Sequence, residues 1–130
     1  MLFDDGQAGV VVADGRCGVR LRVLGPPVRC WQPLLVEVRA GPFSGDILDN
    51  VYVGFQHFAI ELAALYASLT GEASLGGEDK FCLKLVGDGR GGVRGVVTVD
   101  DRDLMIHLHF EMQFDQTYLP AIIEAIRREA

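Results

Sequence analysis

Leu104-Met105-Ile106-His107-Leu108-His109-Phe110-Glu111-Met112-Gln113-Phe114 alternates oily and polar side chains along most of its length. Neighbouring strand residues point to opposite sides of a sheet. Leu104, Ile106, Leu108, Phe110, Met112 and Phe114 therefore share one face, and Met105, His107, His109, Glu111 and Gln113 share the other. The period predicts a β-strand whose six apolar residues look into the protein and whose imidazoles look out.

Working outward, Asp115 follows this strand in the position of a helix N-cap, its carboxylate placed to accept from the backbone of Thr117 or Tyr118. Pro120 is tolerated in the first turns, where amides have no intrahelical acceptor. Leu119, Ile122, Ile123 and Ile126 then form a buried stripe, with Glu124, Arg127, Arg128 and Glu129 turned to water. Upstream, Phe81, Leu83 and Leu85 alternate with Lys80, Cys82, Lys84 and Val86, and Val93, Gly95, Val97 and Val99 mark the next strand. The glycine-rich run 87–92 joins these two strands as a turn, and Asp100-Asp101-Arg102-Asp103 is a polar turn before the last strand.

The first half predicts a hairpin, Val10 to Ala13 and Cys17 to Val23, closed at Asp14-Gly15. Cys17, Val19, Leu21 and Val23 face inward, and Arg20 and Arg22 outward. Gly25-Pro26-Pro27 ends that strand, because proline has no amide to donate. A third strand runs from about Cys30 to Ala40, and Phe43 to Leu48 is a further short extended piece. Phe55, Phe58, Ala59, Leu62, Leu65, Tyr66 and Leu69 recur at helical spacing, which predicts a helix over 54–69. Gly71 supplies a left-handed stop, and Asp49 or Asn50 is a candidate cap for the other end. Strands joined by short turns pair antiparallel. The fold class is α+β: an antiparallel sheet of about six strands, order β-β-β-α-β-β-β-α, with two helices packed on one face. Residues 1–130 are expected to form one domain.

The chain has 130 residues, 49% of them hydrophobic, enough to build a core without staples. Its net charge of −6 argues against general nucleic-acid binding, which needs a basic surface, and against anionic membranes. No apolar run approaches the roughly 20 residues that span a bilayer. Cys17, Cys30 and Cys82 are widely spaced and form no zinc motif. They read as free buried thiols, and the location expected is cytoplasmic.

Three features bear on chemistry. His107, His109 and Glu111 share a strand face, where two alternate imidazoles can reach one divalent ion if Glu111 or His57 adds a third ligand. The plainer account is the polar side of a half-buried strand. Cys82, between Lys80 and Lys84 on its face, and Cys30 are candidate nucleophiles, with a structural thiol favoured. The run 87–92 leads into a strand, so it lacks the helix N-terminus that makes a phosphate loop work. Trp31, Leu35 and Val86 lie opposite the core faces and are candidates for an apolar partner patch. The acids at Asp100, Asp101 and Asp103 are candidates for meeting a basic partner. No catalytic set or cofactor site emerges.

From about Phe43 onward the chain resembles the WapI-type immunity proteins, small bacterial proteins that neutralise toxins of polymorphic toxin systems, and their relatives. The resemblance rests on Phe55-xx-Phe58-xxx-Leu62-xx-Leu65, on Gly71-Glu72-Ala73-Ser74-Leu75 and on Phe81-x-Leu83-x-Leu85. Gly92-Val93-Arg94-Gly95-Val96 and Phe114-Asp115-Gln116-Thr117-Tyr118-Leu119 complete it. It implies a non-enzymatic protein-binding module whose partner is a toxin or other basic protein. The alternative is a metal-binding protein or metal-dependent enzyme using His107, His109 and Glu111. A homodimer with structural duties is a third reading.

Overall fold

Alternation of β-formers builds the first four strands. In the computed structural model, residues 3, 5–52 and 54–129 are described. Strands β1 (Val10–Ala13), β2 (Cys17–Val23), β3 (Trp31–Ala40) and β4 (Phe43–Tyr52) form an antiparallel sheet in that order. Val10, Val12, Val19, Leu21, Leu34, Val36 and Val38 fill its inner face and are buried. The β1–β2 turn closes as expected: Asp14 accepts from the amides of Arg16 and Cys17 at 2.9 Å, and Gly15 takes φ +93°.

Helix α1 (Gly54–Ser68) buries Phe55, Phe58, Leu62 and Leu65. Its end differs from expectation. Leu69, not Gly71, takes the left-handed position directly after the helix, at φ +65°, and its amide donates to the Leu65 carbonyl. Gly71, also at positive φ, already lies inside a strand.

That strand is β5 (Thr70–Gly76), which pairs with β6 (Phe81–Asp88). Then come β7 (Gly92–Asp101) and β8 (Ile106–Asp115), giving a second antiparallel sheet ordered β5-β6-β7-β8. The single sheet of about six strands expected from sequence is thus two sheets of four. The physical reason is α1: it separates β4 from β5, so hairpin pairing runs out at Tyr52 and starts afresh at Thr70. A 3-10 turn at Gln116–Tyr118 is capped by Asp115, whose carboxylate accepts from Thr117 at 2.9 Å. Helix α2 (Leu119–Glu129) follows, burying Leu119, Ile122, Ile123 and Ile126 as the stripe predicts. It packs against α1 and β1, while α1 packs mainly on β5, so the helices do not share one sheet face. Side chains of both sheets and both helices join in one hydrophobic cluster.

Asp49 ties the sheets together. It is a β4 strand residue and caps no helix. Its buried carboxylate accepts from the amides of Asp79 and Lys80 in the β5–β6 loop and of Phe81 at the start of β6, at 3.1, 2.8 and 2.9 Å. Gly77 must lack a Cβ, because one built there would run into this carboxylate. Glu78 donates to the Asn50 carbonyl beside it.

Candidate partner-binding surface

The polar face of β8 lies where its period puts it. His107, His109 and Glu111 are all exposed. Antiparallel register sets them opposite Asp100, Thr98 and Val96 of β7. Glu111 is shared between His109 at 3.8 Å and Arg94 at 3.6 Å. His57 is on α1 and lies 3.8 Å from Glu61, one helical turn away. No group of three His, Cys, Asp or Glu side chains among the described residues is placed to hold one ion.

The oily face of β8 departs from expectation. Phe110 and Met112 are buried, Leu108 and Phe114 half-buried, but Leu104 and Ile106 are exposed. The strand begins at Ile106, and residues 102–105 form the turn of the β7–β8 hairpin. Leu104, Met105 and Ile106 are 68%, 92% and 53% exposed, an apolar tip beyond the core. The Leu104 amide donates to the Asp101 carboxylate at 3.2 Å, and that of Met105 to the Arg102 carbonyl at 3.3 Å. The second bond closes the turn with Met105 at φ +57°.

Beside this tip is an open hollow of about 360 Å³ lined by Glu78, Asp79, Asp100, Asp101 and Asp103 with Lys80 and Arg102. Lys80 lies 3.5 Å from Asp101. The three candidate aspartates therefore come together, and the β5–β6 loop adds two acids that are far away in sequence. The tip escaped the sequence reading because Leu104 and Ile106 keep the period of the strand. The signal that could have found it is the break in alternation at Leu104-Met105-Ile106, three apolar residues straight after a polar turn.

The apolar candidates do not form one patch. Trp31 and Leu35 are half-buried on the outer face of the first sheet, where register pairs them with exposed Tyr52 and Leu48. The Trp31 and Tyr52 rings lie 5.1 Å apart. Val86 is on the second sheet.

The same outer face holds an ion pair that alternation alone does not reveal. Arg20, expected in water, is 1% exposed. Its guanidinium donates to Glu37 at 2.8 and 2.7 Å and to Asp5 at 2.6 and 2.8 Å, and Phe3 stacks over it at 5.1 Å. These Arg20 hydrogen bonds hold the Glu37 and Asp5 carboxyls below the usual carboxylate range. At Asp14 burial pushes the pKa up, but backbone donation from Cys17, Arg16 and Gln113 outweighs it and the net direction is down. At Asp88 the amides of Arg90 and Gly92 lower it.

All three cysteines are unpaired. Cys17 and Cys82 are half-buried, and Cys30 is exposed rather than buried as expected. No helix among the described residues is long and apolar enough to cross a membrane.

Two antiparallel sheets sharing a core with two helices, with an acidic and apolar hairpin tip, define a small α+β protein. The chain belongs to the immunity protein WapI-like family, whose model matches residues 12–130. The resemblance seen from Phe43 onward thus extends over β2, β3 and part of β1. A comparison with curated proteins gives no match. Among solved structures, the plant transcriptional regulator PBF-2 is similar in fold, with a TM-score of 0.50 at 10% identity over 93% of this chain and 79% of that chain.

Proposed function

We propose that this protein neutralises a protein toxin by binding it directly, without catalysis. The match of nearly the whole chain to the immunity family carries the reading, and that family points to a non-enzymatic role. The net charge of −6 supports a basic partner, since complementary charge speeds encounter and rejects wrong partners. The unpaired cysteines suit work in a reducing compartment.

The test is growth rescue. A toxin reading frame encoded beside this chain's gene is induced in a bacterial host with and without the chain. Restored growth, together with a stoichiometric complex on light scattering, is the expected outcome. Arrest that persists at full expression of the chain would refute the reading.

A further inference from the structure

We propose that the β7–β8 hairpin tip is the docking element, and that it seats Leu104, Met105 and Ile106 in an apolar recess on a basic protein surface. The inference rests on the toxin-binding reading and adds the surface and the partner's chemistry.

Three observations converge on it. Leu104, Met105 and Ile106 are consecutive, all more than half exposed, and none supplies core packing that would explain an aliphatic side chain. Contiguous apolar surface of this kind marks contact sites more often than isolated exposed residues do. Met105 also holds a left-handed conformation at φ +57°. Glycine or asparagine takes that position at little cost, whereas an unbranched aliphatic residue is strained there. The turn therefore carries a side chain that its backbone disfavours, and points it fully into solvent.

The surroundings name the occupant. Five carboxylates against two cations line the hollow at the foot of the tip, and Lys80 is already engaged by Asp101. A recess rimmed by lysine or arginine complements this arrangement, whereas an acidic surface, nucleic acid or an anionic membrane is repelled. In such an interface the aliphatic side chains govern dissociation and the acids govern approach.

Met105→Gly separates binding from folding, because it removes the side chain and relieves the strained backbone together. The probe is the toxin domain encoded beside this chain, with its own active site disabled. For Met105→Gly with Leu104→Ser we expect at least tenfold weaker binding, mainly through faster dissociation, with an unfolding midpoint no lower than that of the natural chain. Asp100→Asn with Asp103→Asn should slow association and flatten its dependence on salt. A Leu48→Ser variant on the outer face of the first sheet should bind as the natural chain does. If the natural chain binds and the tip variants bind equally well, the tip is not the docking element, although toxin binding stands. If the natural chain does not bind, the toxin-binding reading itself fails and the tip assignment falls with it.

Discussion

Arg20 sits on a sheet face that strand alternation turns toward water, yet Phe3 and Asp5 of the N-terminal segment fold back over it. Glu37 is the most sheltered of its partners, and removing one member of a buried pair strands the other's charge. Glu37→Ala should cost about 3 kcal/mol in urea unfolding. The same contacts set the acid limit. Glu37 and Asp5 are held below their unfolded-state values, so the unfolded chain takes up protons first. Stability should be level above about pH 5 and fall below about pH 4, where unfolded carboxyls titrate, with a shallower fall in Glu37→Gln. A fall beginning near neutrality would contradict this. Period two put Arg20 on the outer face of the sheet, and the structure has it there, paired across the strands with Glu37. Their burial was not legible, because it depends on a segment outside any periodic element.

At the scale of elements, Asp49 does what no local signal announces. An acid at the end of a β-former run reads as a helix cap, yet here it extends β4 and collects three amides from the β5–β6 loop and the first residue of β6, 30 and more residues away. Asp49→Ala leaves those donors without their acceptor, and a loss of about 3 kcal/mol is expected in thermal or urea unfolding. A variant as stable as the natural chain would show that solvent replaces the carboxylate. β5 was hidden for a related reason. Thr70-Gly71-Glu72-Ala73-Ser74-Leu75-Gly76 turns only Ala73 and Leu75 inward, too little for propensity to register, and its strand character comes from pairing with β6. By contrast the buried stripe of α2 was readable, since four large aliphatic residues recur on one side, although Asp115 caps the 3-10 turn that leads into it and not α2 itself.

For the molecule as a whole, hairpin logic gave the β1–β2, β2–β3, β6–β7 and β7–β8 neighbours, missed the β5–β6 pair and was silent on whether β4 and β5 pair. Two sheets and one sheet satisfy the same list of turns, and how the halves meet is seen at Asp49, Gly77 and Asn50 and where the Gln113 amide donates to Asp14. The candidate surface was half legible: Asp100, Asp101 and Asp103 stand together in sequence, whereas Glu78 and Asp79 join them only through the fold. What emerges is a two-sheet body whose core ends before the β7–β8 tip, leaving oily residues and acids in the open. Backbone amide exchange on the chain, alone and mixed with the neighbouring toxin domain, tests this most directly. Slowed exchange confined to residues 100–106 and the facing 78–80 loop is the expected result. Unchanged exchange throughout, or protection centred on Leu35 and Leu48 of the first sheet, would contradict it.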